Sequence, residues 1–307
     1  MKHAYFYIQK QQLKDIEIIF IDDKSIDESS NIIHQLMKND RRIKYIKNKV
    51  NRGAFYSRNE GIIFSRGKYI LVMDPDDLLL NNILIKTFEI AEYYNLDILQ
   101  FYTCRGSYNK NKIWKRNKYK SGILTSKNVK NVFFFSVSRT LWDKLIRREV
   151  FIKSINYMNK EYLNEKYIIH SDDTIFWGII CSANSYGFLE QIGYFYNDDN
   201  PDSTIHHYFD TKIINLIFHS LFATLKYYYF QTKQNEIEKN YVGYKFFYEK
   251  IYKSHLNMID YLTNGFEYII DVLDLYIKCN FFNETQKNNL LYLKNLINNK
   301  KENITHL

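Results

Sequence analysis

The sequence is short of the residues that usually staple or punctuate a chain. Its 307 residues hold only 3 Cys, 2 Pro and 10 Gly. Cys104, Cys181 and Cys279 lie too far apart for a clustered zinc site and are odd in number for a disulfide framework, so reduced thiols are expected. No stretch approaches the roughly 18 consecutive apolar residues of a membrane-spanning helix, and residues 1–10 lack the apolar core of a signal peptide. A cytoplasmic chain without a transmembrane segment is therefore expected. A basic excess is present, with a net charge of +9, but the lysines are dispersed apart from a stretch at 110–120. A dispersed excess describes a solvated basic face and argues against a nucleic-acid partner. What the chain has in quantity is apolar and aromatic residues, 46% and 17%, enough for a sizeable core.

The pattern begins with a strand at 15–21 that stops in Asp22 and Asp23, followed by helical apolar spacing at Ile32, Ile33, Leu36 and Met37. A short strand at 43–46 leads into Asn51, Arg52 and Gly53, and a helix at about 55–65 carries Arg58, Asn59 and Gly61. Gly67 is expected to end that helix as a C-terminal glycine. The apolar run at 69–73 then breaks off in Asp74, Pro75, Asp76 and Asp77. This β-α-β-α-β alternation predicts an α/β fold with a mostly parallel sheet and helices on both faces.

Ligands of open α/β sheets sit beyond the carboxyl ends of the strands, and two strands here end there in acids. Carboxylates spaced Asp-x-Asp can share a hard divalent ion whose remaining positions go to water and phosphate. The bland reading of 74–77 is a helix N-cap with acids in the first turn, and spacing alone leaves both open. Farther on, residues 140–151 read as an amphipathic helix with Leu141, Leu145 and Ile146 inward, or as an acceptor-side element. Asp172 and Asp173, before the apolar run from Ile175, read as acids at a helix N-terminus. A strand is predicted at 187–197, helices fill 206–307, and the basic region at 104–121 reads as loop or hairpin. His206 and His207 read as surface histidines.

Taken in order, Asp22-Asp23-x-Ser25-x-Asp27, Asn51-Arg52-Gly53, Ser57-Arg58-Asn59-x-Gly61, Gly67-x-Tyr69 and Asp74-x-Asp76-Asp77 resemble glycosyltransferase family 2, the inverting nucleotide-sugar transferases of GT-A fold. The resemblance spans roughly 13–203. It implies that Asp22, Asp23, Arg58 and Asp74 hold the nucleotide-sugar, a UDP-sugar by preference. Asp76 with Asp74 would bind Mn²⁺ or Mg²⁺. The family's Glu-Asp pair, here Asp172-Asp173, would supply the general base, with Asp173 in the base position. Asp143 stands where the family's Trp-Asn-Lys-Leu stretch has Asn, and Asn197 where members often have Arg. The absence of Gln-x-x-Arg-Trp argues against a processive polymer synthase.

The resemblance also implies a strand ahead of the one at 15–21, for which residues 1–13 leave room only for a helix. The expectation is a GT-A-like domain over 1–205 lacking its first strand, through an incomplete gene model or a loss, with a helical extension over 206–307. The function expected is metal-assisted, inverting transfer of a sugar to an acceptor hydroxyl on an unidentified glycan, protein or lipid. The alternative is a catalytically inactive GT-A-like binding or scaffold protein.

Overall fold

A computed structural model of the chain describes residues 1–107, 110–114, 122–125, 138–156 and 171–200, with isolated positions at 129 and between 270 and 298. The expectations for Cys279, His206, His207 and nearly all of 206–307 fall outside the described residues. The elements are α1 (Lys2–Gln9), β1 (Ile18–Asp22), α2 (Ser29–Asn39), β2 (Ile43–Lys47), α3 (Gly53–Phe64), β3 (Tyr69–Ile70), β4 (Leu78–Leu79) and α4 (Ile83–Tyr93). They continue as β5 (Ile98–Ser107), β6 (Lys110–Trp114), β7 (Gly122–Thr125), β8 (Lys144–Arg147), α5 (Arg148–Asn156), α6 (Ser171–Ser182) and β9 (Ser185–Asn197). The chain forms two compact units, Met1–Lys166 with Asp172–Pro201 and Tyr167–Ser171 with Asp202–Leu307. No helix among the described residues is long and apolar enough to cross a membrane.

The α/β architecture is as expected, and its sheet is mixed. Parallel β1 and β2 form a sheet of two strands, in which Asp22 stands opposite Lys47. The other sheet runs β3-β8-β5-β9-β4, with β6 on β5 and β7 on β9. Its long central pair, β5 and β9, is parallel, while β8, β4, β6 and β7 add antiparallel. No ladder joins β1 to β3 among the described residues. Side chains bridge them instead: Glu17 Oε1 accepts the backbone N–H groups of Arg66 at 2.5 Å and Gly67 at 2.8 Å. Ile8 and Ile16 pack on two apolar clusters, one that includes Leu79, Ile83 and Tyr194 and another that includes Ile18, Ile33 and Ile43.

Three local expectations change for physical reasons. The run at 69–73 forms a ladder over only Tyr69 and Ile70, with β8. Residues 71–73 have no ladder partner among the described residues and lie outside the sheet. Gly67 does not end α3, which stops at Phe64. It lies in the turn before β3 and gives its N–H to Glu17. Residues 140–151 are not one helix: Lys144–Arg147 is a buried strand and the helix starts at Arg148. Leu145 and Ile146 satisfy helical spacing, but pairing with β3 and β5 offers this short segment two ladders, so tertiary context overrides the local pattern.

α1 is tied to the turn entering β2 by an acid that the sequence did not single out. Tyr5 donates its hydroxyl to Asp40 Oδ2 at 2.9 Å, and Arg42 donates through Nε at 2.9 Å to Oδ1 and through Nη2 at 2.7 Å to Oδ2. The Arg42 hydrogen bonds hold the Asp40 carboxyl well below the usual carboxylate range, against the opposing effect of burial. A depressed folded pKa means that this stabilisation is fully present above the unfolded value of about 4 and is lost as pH falls through and below it. Asp40→Asn is expected to destabilise the protein at pH 7 by about 1.5–3 kcal/mol, the range for hydrogen bonds to a charged group. In thermal melts, the gap to wild type should narrow below pH ~4.

Candidate active site

The site is assembled at the carboxyl ends of β1 and β3 and at the first turn of α6. At the end of β1, Asp22 is buried at 4% exposure. Its oxygens accept the Ser25 N–H at 2.6 Å and the Tyr45 hydroxyl at 2.6 Å, and Lys47 lies 3.4 Å away. Burial alone would raise its pKa, but these donors outweigh it and leave Asp22 below the ordinary value. Asp23 caps the start of α3: Oδ1 accepts Arg52 N–H at 2.8 Å and Asn48 Nδ2 at 2.9 Å, and Oδ2 accepts Gly53 N–H at 2.6 Å. A carboxylate on the unsatisfied N–H groups of a helix start is favourable on both hydrogen-bonding and dipole grounds. Gly53 has φ 85, in the region where a side chain would be strained, which accounts for glycine after Asn51 and Arg52. Both acids of the first cluster are thus engaged in fixing the backbone around them, Asp22 at the turn after β1 and Asp23 at the start of α3.

α3 runs from this cap across β1. The contact is close at Gly61, where an added Cβ would sit 3.1 Å from Ile21 Cγ1. One turn earlier, Arg58 projects to two acids. Nη2 donates to Asp74 Oδ1 at 2.9 Å, and Nη1 to Asp172 Oδ1 at 2.6 Å. The guanidinium side chain is 18% exposed. Burial would lower its pKa, whereas the charges of Asp172 and Asp74 raise it well above the ordinary arginine value, so Arg58 is held as a cation. Arg58 therefore meets the acid after β3 and the acid of α6.

The segment 74–77 is latched to β9. Asp77 is buried at 1% exposure, accepting the Tyr194 hydroxyl at 2.6 Å and the Asn197 N–H at 2.8 Å. Burial pushes its pKa up to about 7, with the charges of Asp74 and Asp76 adding and the two hydrogen bonds opposing. The Tyr194 oxygen also accepts the Asp74 N–H at 3.2 Å, and its ring stacks on Trp142 with centroids 4.9 Å apart. Beyond the strand, Asn200 Nδ2 donates to Asp76 Oδ2 at 2.7 Å. Tyr194 and Asn200 are site residues that the sequence did not reveal. Both act through contacts more than a hundred positions away, and neither belongs to a spaced motif. Asp74, Asp172 and Arg58 come together; Asp76 joins them through the segment it shares with Asp74, while Asp23 sits at the start of α3 and Asp22 at the end of β1. The side chain of Asp173 is outside the described residues, but its helix position next to Asp172 is not.

α6 is supported from behind by a buried ion pair. Lys144 Nζ, with a side chain at 0% exposure, donates to Asp143 Oδ1 at 2.5 Å and to Ser138 Oγ at 3.0 Å, and lies 4.5 Å from the ring centroid of Phe176 in α6. Gln100 Nε2 donates to Asp143 Oδ2 at 2.7 Å. Asp143, in place of the amide that the family resemblance implied, thus neutralises a lysine sealed in the core. Removing one partner of such a pair leaves an uncompensated buried charge. Asp143→Ala is expected to cost about 3 kcal/mol or more in urea unfolding, and Asp143→Asn less, because the amide keeps an acceptor for Lys144.

Among the described residues no three His, Cys, Asp or Glu side chains form a metal cage. A hard divalent ion needs only one or two protein carboxylates when phosphate and water complete its shell. The oxygen-only donors Asp76 and Asp74 fit that requirement.

Comparison with known proteins gives one family. The profile of glycosyl transferase family 2 matches residues 7–155. An uncharacterized glycosyltransferase of Methanocaldococcus jannaschii is 32% identical over 209 residues, covering 66% of this chain and 67% of that protein. The cholesterol galactosyltransferase of Borreliella burgdorferi is 30% identical over 61% of this chain and 53% of its own length. The Campylobacter jejuni GalNAc(5)-diNAcBac-PP-undecaprenol beta-1,3-glucosyltransferase is 27% identical over 62% and 68%. Among solved structures, S. aureus TarS 1-349 in complex with UDP-GlcNAc superposes with a TM-score of 0.58 over 89% of this chain and 76% of that one, at 14% identity. That likeness supports the GT-A fold.

Proposed function

Because this chain belongs to glycosyl transferase family 2 and is a glycosyltransferase, we propose that it moves a sugar from a UDP-sugar to an acceptor hydroxyl with inversion, assisted by Mn²⁺ or Mg²⁺. The observation that carries the reading is the convergence of Asp74 and Asp172 on one partly buried guanidinium, with Asp76 on the same segment as Asp74. Two acids that the resemblance assigns to the diphosphate side and to the base side thus meet one side chain from elements far apart in sequence. The TarS complexes with UDP and UDP-GlcNAc support the choice of a uridine nucleotide.

In this reading Asp23 and Asp22 shape the nucleoside wall through the start of α3 and the turn at Ser25. Asp74 faces the ribose and diphosphate, and Asp76 with Asp74 would hold the metal ion. That ion supplies neutralisation of the leaving diphosphate's charge. Asp173 takes the proton from the acceptor hydroxyl as its oxygen attacks the anomeric carbon on the face opposite the leaving group. A single displacement of this kind inverts the centre. Asp172, fixed by Arg58, holds the start of α6.

Calorimetric titration with UDP and a panel of UDP-sugars, with and without Mn²⁺, tests the proposal, followed by a donor-hydrolysis assay in which water serves as acceptor. Metal-dependent UDP binding and slow release of UDP from one donor are expected. Failure of every uridine nucleotide to bind, with or without metal, would sink the choice of donor.

A further inference from the structure

We infer that Tyr194 is a positioning residue: from inside the core its hydroxyl sets the arch that carries Asp74 and Asp76, and through that arch the metal-dependent part of donor binding. The inference rests on the proposed transfer reaction and assigns a role inside it. The acids stand on a short arch and not on a ladder. Residues 71–73 have no ladder partner among the described residues, and the next paired residues are Leu78 and Leu79, opposite Phe195 and Tyr194 of β9. Between these points the backbone closes on itself where the Asp77 N–H meets the Asp74 carbonyl oxygen at 3.2 Å. Both ends of that turn come to one oxygen of β9: the Tyr194 hydroxyl accepts the Asp74 N–H at 3.2 Å and donates to Asp77 Oδ2 at 2.6 Å. Asp76 lies inside the turn so closed.

β9 gives that oxygen a fixed base. The strand lies between β5 and β4, and the Leu80 N–H donates to the carbonyl oxygen of Gly193 at 2.9 Å. A Cβ on Gly193 would stand 2.2 Å from Ile83 Cγ1, so the strand lies against the start of α4 with no space for a side chain. The Tyr194 ring is held by its stacking on Trp142. Tyr194 is 0% exposed, so neither its ring nor its hydroxyl can touch a nucleotide, a sugar or an ion. Its effect on binding must pass through the arch. A divalent ion held by one or two carboxylates depends on where their oxygens stand, and loss of an outer-shell hydrogen bond typically costs 10–100-fold in metal affinity. In Tyr194→Phe the ring and its stacking remain. The Asp74 N–H loses this acceptor and Asp77 this donor, while Asp77 keeps the Asn197 N–H.

The test compares full-length wild type, Tyr194→Phe, Asp77→Asn, their double variant and Asp97→Asn. The last controls for lost stability. Asp97 accepts Arg147 Nε at 3.1 Å and the Asn184 N–H at 2.7 Å at the amino end of β5, whereas Tyr194 stands opposite Thr103 farther along that strand. UDP affinity with and without Mn²⁺ is measured by calorimetry, local opening by amide hydrogen exchange, and stability by urea unfolding. For Tyr194→Phe we expect UDP affinity in Mn²⁺ lower by ~10–100-fold and UDP affinity without metal within about threefold of wild type. Amide exchange over 74–77 should quicken while the β5–β9 ladder keeps its protection. Asp77→Asn should act in the same direction, and it supplies the reading if Tyr194→Phe does not fold. The double variant should lose little more than the larger single loss, because both break one tie. Asp97→Asn should lower the urea midpoint and leave the Mn²⁺ dependence as in wild type. Equal falls in UDP affinity with and without Mn²⁺ would overturn the inference. So would multiplicative losses in the double variant, or a loss of Mn²⁺ dependence in Asp97→Asn as large as in Tyr194→Phe. Wild type without metal-dependent UDP binding would defeat the proposed reaction instead. The tie is then judged by exchange, which needs no ligand, and unchanged exchange over 74–77 in Tyr194→Phe would overturn it.

Discussion

Replacing Asp173 by asparagine is expected to leave UDP binding intact and to lower sugar transfer by a factor of about 10²–10⁴, the usual contribution of a positioned general base. In the proposed reaction the acceptor is a hydroxyl, hardly ionised at neutral pH, so its oxygen becomes a competent nucleophile only as the proton leaves. A carboxylate can take that proton; an amide of the same shape cannot. The substitution removes a negative charge beside Asp172 at a helix start, where acids are favoured by only about 0.3–1 kcal/mol, so the fold should survive. The separation of effects is the point of the experiment. Donor affinity from calorimetry and the rate from donor hydrolysis, or from an acceptor once one is found, must diverge. Turnover within a few-fold of wild type would remove Asp173 from the mechanism.

Asp76→Asn is expected to do the reverse and abolish the metal dependence of donor binding. A hard divalent ion with only one or two protein ligands depends strongly on each carboxylate charge. Loss of even an outer-shell partner typically costs 10–100-fold in metal affinity, so loss of a direct ligand should exceed that. The near-isosteric amide can still meet Asn200, whose Nδ2 lies 2.7 Å from Asp76 Oδ2, because its carbonyl oxygen remains an acceptor. Titration of UDP at several Mn²⁺ concentrations checks the prediction, with unfolding midpoints as a control. UDP binding that still strengthens with Mn²⁺ as in wild type would move the metal elsewhere.

These two residues stand out in the chain because their signals are local. Asp76 stands one proline beyond Asp74 at the end of an apolar run, and Asp173 opens an apolar helical stretch. The strand ends and the helix starts follow from periodicity and from capping, which act within a few residues. The partners of those acids were not readable in the same way. Arg58 stood in a motif whose resemblance implied the nucleoside, yet its ion pairs run to Asp74 and Asp172. Asp77 stood beside Asp74 and Asp76 at the end of the apolar run, and it anchors Tyr194 and Asn197 in the interior. Asp143 looked like a departure from a family amide and is the counter-ion of a buried lysine.

The sequence by itself determined the β-α-β-α-β order from β1 to β3, the acids at two strand ends and the acid pair at the start of α6. Each depends on neighbours close along the chain. Only the tertiary structure decided that Lys144–Arg147 is a strand between β3 and β5, and that β1 and β3 are joined by side chains rather than a ladder. It also decided which of the acids are structural ties and which converge on one guanidinium. Strand pairing, burial and ion-pair geometry depend on groups that approach from far along the chain, and no local pattern encodes which of several equivalent carboxylates an arginine will meet.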